Sequence, residues 1–261
     1  MSIEQGVYCK VLGQGPDLVL LHGWGVNSVV WNPVIEMLSE HFRVHLIDLP
    51  GFGYSEELAE YSIDTMVDKI MPIVPENAIW CGWSLGGLIA THASYLYPEK
   101  INKLIQVCTS VKFVSEGEGE WLGVEANVFN NFALSLQKNK DKTLTRFIGL
   151  QAMGSLTAKQ DNQTFKKLLI DTHKPSLKAL DAGLTLLNGC DLREEFKQLS
   201  IPCLSLYGKF DGLVPVQTSA AMQLLLADSK QKIFASSSHA PFVSEPNEFS
   251  QSIIDFGLEK V

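Results

Sequence analysis

The chain has 261 residues, 46% of them apolar and 19% charged, with a formal net charge of −8. That length accommodates one large domain or a domain carrying an insertion, with a sizeable buried core, and the acidic balance argues against nucleic acid as a partner. No stretch approaches the roughly 20 apolar residues of a membrane span, and the start Met1-Ser2-Ile3-Glu4-Gln5 lacks the basic and apolar segments of a signal peptide, so a cytoplasmic location is expected.

Residues 17–22 read as a buried strand running into Gly23-Trp24-Gly25. Residues 31–42 have helical spacing, and residues 44–48 form another short strand that enters the Gly/Pro-rich loop Leu49-Pro-Gly-Phe-Gly-Tyr-Ser55. A helix over 63–74 is followed by the apolar run 78–81, the turn Gly82-Trp83-Ser84-Leu85-Gly86-Gly87 and a helix reaching Tyr97-Pro98. Residues 103–108 are the next strand. Strands alternating with helices at this spacing predict a mainly parallel sheet with helices on both faces. The rhythm then changes: residues 111–190 have helical patterning and no convincing strand. Strand character returns at 202–207, then come a helix over 216–226, a strand at 232–235 and a terminal helix from Pro246. The expected architecture is an α/β core made of residues 1–110 and 191–261. A helical lid, 111–190, is inserted over the carboxyl edge of its sheet.

The five cysteines (9, 81, 108, 190 and 203) are scattered and mostly embedded in apolar runs. They read as buried reduced thiols; no pair has metal-ligand spacing, and neither metal nor cofactor is expected.

A Gly-x-Ser-x-Gly between a strand and a helix forms a tight elbow that presents the serine hydroxyl at the carboxyl end of the sheet. A serine is a poor nucleophile near neutral pH and needs a base, which in turn needs an orienting carboxylate. Of the six histidines, His41 and His45 precede the elbow, His92 lies well into its helix and His173 falls in the insert. His239, in Ser236-Ser-Ser-His-Ala-Pro241 after the last strand, is the candidate base. Asp211, just beyond the strand 202–207, is the candidate acid. Asp48 is the runner-up, with local bonding in the loop 49–55 as its other role. The backbone N–H groups of Leu85 and Trp24 are candidates for the oxyanion hole, and His22 is read as a hydrogen-bonded support for the Trp24 loop.

Together His22-Gly-Trp-Gly25, Asp48-Leu-Pro-Gly-Phe-Gly-Tyr-Ser55, Gly82-Trp-Ser-Leu-Gly-Gly87, Asp211-Gly-Leu-Val-Pro215 and Ser238-His-Ala-Pro-Phe242 resemble the α/β-hydrolase superfamily. With Arg146-Phe-Ile-Gly-Leu-Gln151-Ala-Met-Gly154 and Leu187-Asn-Gly-Cys-Asp-Leu-Arg193, the chain resembles the pimeloyl-[acyl-carrier protein] methyl ester esterases of biotin synthesis. The resemblance implies a monomeric cytoplasmic carboxylesterase that removes the methyl cap from a carrier-bound pimeloyl thioester. It assigns Ser84, Asp211 and His239 as the triad and Trp24 and Leu85 as substrate-oxygen contacts. Phe147, Ile148, Gly149, Leu150 and Gln151 would line the acyl site. The triad alone leaves open a general short-chain esterase, a lyase or C–C hydrolase acting on a small acid, or a non-catalytic ligand-binding member of the fold.

The insert is basic: residues 138–178 carry nine Lys/Arg against three acids, a net +6, leaving −14 on the remainder of the −8 chain. Such a patch suits an acidic carrier protein, whose approach it would steer; Lys142, Arg146 and Lys159 are the candidate docking residues. The apolar residues Trp121, Phe132, Phe147, Leu150 and Met153, with Trp83, are the candidate walls of an acyl channel.

Overall fold

The computed structural model describes residues 2–117 and 119–259. An eight-stranded sheet carries the molecule, in the order β1-β2-β4-β3-β5-β6-β7-β8. Its elements are β1 (Ser2–Glu4), β2 (Val7–Leu12), β3 (Asp17–Leu21), β4 (Arg43–Ile47), β5 (Ala78–Trp83), β6 (Ile101–Val107), β7 (Cys203–Gly208) and β8 (Lys230–Phe234). From β4 to β8 every pairing is parallel, while β1 and β2 add an antiparallel edge. The sequence reading did not include these two strands. They turn through Gln5 and Gly6, at φ 50° and 80°, the paired positive angles that a two-residue hairpin requires.

Strands buried on both faces must be apolar throughout yet still send alternate side chains to opposite sides. Val19 and Leu21 join one core with Trp80, Leu88, Ile89 and Leu104. Leu18 and Leu20 join the other, with Cys81, Trp83, Ile105 and Leu206. Helices α2 (Ile63–Ile70) and α3 (Leu85–Leu96) contribute to the first core, and α1 (Asn32–Ser39) to the second. Helix α2 starts on a capping box, Ser62 accepting from Thr65 N while the Thr65 hydroxyl accepts from Ser62 N.

Between β6 and β7 the chain leaves the sheet and forms α4 (Ala126–Lys138), α5 (Lys140–Gln151), α6 (Ala158–Leu169) and α7 (Leu177–Gly189). The segment before α4 makes isolated bridges, Lys112 with Asp191, Val114 with Val124 and Glu116 with Trp121. At the base of the insertion Lys112 pairs with Glu116 and Asp191, and Arg193 pairs with the same two acids. Hydrogen bonding from Arg193 is the main cause holding the Asp191 carboxyl down to about 2. Trp24 Nε1 donates to Leu180 O at 2.7 Å, joining the Trp24 loop to α7. Helices α8 (Arg193–Lys197), α9 (Thr218–Leu225), α10 (Pro241–Ser244) and α11 (Pro246–Leu258) complete the core.

One buried charge ties the last helix to the sheet. Lys103 on β6 is 3% exposed, and its Nζ donates to Phe256 O at 2.9 Å, Gly257 O at 3.2 Å and Glu259 O at 2.6 Å. These carbonyls lie at the negative end of α11, where a cation is favoured. Burial depresses the ammonium pKa, but every donor finds an acceptor. Lys103→Met is expected to leave these carbonyls unpaired and to cost about 2 kcal/mol, read as a lower urea midpoint with the slope unchanged.

Candidate active site

The elbow is built from small residues because three backbones cross within it. A Cβ on Gly86 would lie 2.5 Å from the carbonyl oxygens of both Leu21 and His22, and one on Gly82 would collide with the Gly86 carbonyl. Ser84 takes φ 54° and ψ −117°, a region that costs a non-glycine residue of order 1–3 kcal/mol and persists only when its surroundings enforce it. Here they do. Ser84 N donates to Val107 O at 3.0 Å, and Ser84 O accepts from Gly87 N at 2.9 Å and Leu88 N at 3.1 Å. The Thr109 hydroxyl donates to the same carbonyl at 2.7 Å.

The structure brings His239 and Asp211 together at the carboxyl edge of the sheet, the edge that also carries the elbow. His239 follows β8, Asp211 follows β7, and both are buried. His239 Nδ1 lies 2.7 Å from Asp211 Oδ2. A carboxylate only accepts, so Nδ1 donates and Nε2 is left as the basic nitrogen. Asp211 Oδ1 accepts from Leu213 N at 2.8 Å and Val214 N at 2.9 Å, which fixes the carboxylate plane. Nε2 is buried and bonds to nothing among the described residues. His239 itself is held from two sides, its N donating to Gln151 O at 3.1 Å and its carbonyl accepting from Trp83 Nε1 at 2.7 Å.

Leu85 opens α3 directly after Ser84, so its N–H has no intrahelical acceptor. The Trp24 loop reaches the same place: a Cβ on Gly23 would lie 3.3 Å from Ser84 Cβ. His22 underpins that loop. Its Nδ1 donates to Gly23 O at 2.7 Å and its Nε2 accepts from Leu49 N at 2.9 Å, a pattern that requires a neutral ring. Asp48, the runner-up acid, is committed elsewhere, accepting from Ser28 N at 2.8 Å and Tyr54 N at 2.9 Å. His45 and His92 pair with Asp17 and Asp64, and His173 packs on Tyr54.

An apolar cavity of about 90 Å³ opens on Ser84, lined among others by Phe129, Phe132, Phe147, Leu150 and Leu187. Of the stretch 147–151, the structure brings Phe147 and Leu150 to this cavity but not the other three residues. Helix α5 turns Ile148 and Gly149 to its opposite side, where they line a separate groove of about 790 Å³ with Gly25, Asn27, Lys159 and Lys166. Gln151 is buried against the turn of the helix, its Nε2 donating to Phe147 O. The expected channel walls divide similarly. Phe132 lines the cavity, Trp121 points its Nε1 at Lys112 O, Met153 is 57% exposed, and Trp83 is spent on the His239 carbonyl.

Lys142, Arg146 and Lys159 are exposed, and none forms an ion pair among the described residues. Of the three acids in 138–178, Asp141 pairs with Lys174 and Asp161 is buried, so the outer face of α5 and α6 is left basic.

Sequence reasoning missed Cys108 and Thr109. Cys108, at φ 42°, places Sγ within 4.8 Å of ligand atoms of both Asp211 and His239. Burial, with the Asp211 charge second, pushes its thiol pKa well up, so it faces the carboxylate as a protonated group. Their position directly after β6 was the available signal.

A family profile described as the alpha/beta hydrolase fold matches residues 16–246. The chain is 43% identical over 250 residues to the pimeloyl-[acyl-carrier protein] methyl ester esterase of Vibrio vulnificus (strain CMCP6), covering 96% of this chain and 97% of that one. It is also 43% identical over 254 residues to the protein of the same name from Vibrio cholerae serotype O1, covering 97% and 99%. Among solved structures, an esterase from Exiguobacterium antarcticum superposes with a TM-score of 0.86 at 22% identity, over 96% of this chain and 94% of that one. A bromoperoxidase from Bacillus anthracis superposes at 0.89 with 19% identity, over 97% and 95%. At these identities the structural likeness concerns the fold.

Burial of His22 depresses its pKa, so the native ring stays neutral at a pH where an unfolded histidine, near 6.5, takes up a proton. The resulting stability is complete above about pH 6.5 and is lost as pH falls toward the depressed native value, at up to about 1.4 kcal/mol per pH unit. Urea unfolding between pH 7.5 and 5.5 is expected to show this slope in the wild type and a shallower one in His22→Asn.

Proposed function

The chain belongs to the α/β-hydrolase family, and on that footing we propose that it is a serine carboxylesterase that hydrolyses the methyl ester of pimeloyl-acyl-carrier protein, releasing methanol in biotin biosynthesis. The observation that supports this reading is a buried His239–Asp211 pair at 2.7 Å on the same sheet edge as the strained Ser84 elbow. Ser84 Oγ attacks the ester carbonyl while His239 Nε2 takes its proton, and the oxyanion is met by the N–H groups of Leu85 and Trp24. The tetrahedral intermediate collapses with cleavage of the C–O bond, and the methoxide leaves with the proton from His239 as methanol. Water, activated by the same nitrogen, then attacks the acyl-serine and restores the free serine with a carboxylate product. Asp211 steadies the imidazolium formed in each half.

The substrate carries two electrophiles, and its thioester is the more labile. Selectivity for the distal methyl ester therefore rests on position. Exposed Lys142, Arg146 and Lys159 supply the docking face for an acidic carrier, and the enzyme itself acts as a cytoplasmic monomer. A docked carrier holds the thioester at the lid while the chain end reaches Ser84, and positioning of this kind is worth several kcal/mol. Phe147 and Leu150 contact the acyl chain. The 90 Å³ cavity, with room for only a few heavy atoms beside Ser84, also suits short acyl groups and favours cleavage of short-chain esters as a second activity.

Ser84→Ala is expected to abolish fluorophosphonate labelling and hydrolysis of every ester; retained turnover would overturn the assignment. The triple variant Lys142→Glu, Arg146→Glu, Lys159→Glu is expected to lower kcat/KM on the carrier-linked methyl ester by about 100-fold, while p-nitrophenyl acetate hydrolysis changes less than about twofold. Equal losses on the two substrates would sink the docking assignment.

A further inference from the structure

We propose that Asp161, on the inserted helix α6, is a positioning residue for His239; this rests on His239 being the base. The carboxylate is 3% exposed and forms no ion pair among the described residues. Its Oδ2 instead accepts two hydroxyls, Ser155 Oγ at 2.7 Å from the turn before α6 and Ser244 Oγ at 2.7 Å from the end of α10. Helix α10 starts two residues after His239, so this clasp joins the insert to the segment that carries the base.

It closes a seam already tied at three points. Leu156 N donates to Ser236 O at 3.0 Å, Ser238 Oγ donates to Met153 O at 2.8 Å, and His239 N donates to Gln151 O at 3.1 Å. The loop 236–244 therefore lies along the turn 151–161, and Asp161 fixes its far end. A carboxylate buried without a cation is costly to desolvate, and an apolar side chain would fill the same place at lower cost. What the carboxylate adds is direction: a single oxygen collects two hydroxyls from segments far apart in sequence. That matters because, among the described residues, Nε2 has no bond of its own to hold it. Its aim is set by Asp211 and by the backbone of this loop.

Displacement of a base by even an ångström lowers turnover steeply. Asp161→Ala is accordingly expected to lower kcat on p-nitrophenyl acetate about tenfold with KM unchanged, and to slow fluorophosphonate labelling of Ser84 in parallel. Asp161→Asn keeps an accepting oxygen and is expected to recover most of the loss. Ser244→Ala deletes only the bond to α10 and is expected to lower kcat in the same sense, which keeps the test open if Asp161→Ala does not fold. Unaltered kcat and labelling in folded Asp161→Ala or Ser244→Ala, a loss confined to KM, or Asp161→Asn no better than Asp161→Ala would overturn the proposal. His239→Ala in parallel separates the two assignments: turnover surviving there would remove His239 as base, whereas its loss beside unaffected Asp161 and Ser244 variants would remove only the clasp.

Discussion

The strained backbone of Ser84 is the constraint on which the rest of the molecule depends. A serine at φ 54° and ψ −117° is stable only where its neighbours leave no alternative, and the neighbours come from the two strands that flank β5 and the residues just after them. Val107 of β6 holds its N–H, the Thr109 hydroxyl holds its carbonyl, and the Leu21 and His22 carbonyls press on Gly86 from β3. The parallel order β3-β5-β6-β7-β8 then places the carboxyl ends of five strands on one edge. Asp211 and His239 share that edge with the serine because they follow β7 and β8. The sheet thus gathers onto one edge residues that lie 127 and 155 positions after the serine in the chain.

Much of this was legible in the sequence because the physics that imposes it is local. The elbow demands small residues at fixed offsets, and a strand buried on both faces shows as a continuous apolar run. The edge hairpin Ser2–Leu12 was not legible, since β1 is exposed throughout and three exposed residues carry no pattern. Ile148 and Gly149 lie away from the cavity on Ser84 for a different reason. A run of consecutive residues on a helix spans its whole circumference, so Phe147 and Leu150 face the serine while their neighbours face the groove. Asp161 left a faint trace, as one acid in a basic stretch, but only three-dimensional packing brings Ser155 and Ser244 to it.

Three buried polar groups follow one logic. Among the described residues His22, Asp48 and Asp161 have no countercharge bonded to them, and each is instead satisfied by N–H or O–H donors or acceptors from two separate segments. Each joins loops on the sheet's carboxyl edge, where the backbone has left the ladder and lost its regular partners. Apolar contacts hold pieces together without fixing their orientation, whereas a shared hydrogen-bond acceptor fixes both distance and angle. Hydrophobic burial supplies the bulk stability, and at the carboxyl edge these three buried polar groups fix geometry, as Lys103 does where α11 meets β6.

The insertion meets the core along two unlike seams. On the side of α4, α5 and α7 the contact is mainly aromatic and aliphatic, with the Trp24 Nε1–Leu180 O bond added: Trp24 packs edge-on against Phe132 at 5.5 Å and Phe147 at 4.8 Å, beside the cavity that opens on Ser84. On the side of the α5–α6 turn the contact is a row of hydrogen bonds to the loop that carries His239. Apolar attraction is non-directional, so a change of rotamer keeps much of it, whereas a hydrogen bond weakens steeply with angle. Widening of the 90 Å³ cavity to admit a longer chain is therefore easiest along the aromatic seam, with the polar seam as the fixed side. That division lets the acyl site adapt to its substrate without disturbing the aim of the proposed base.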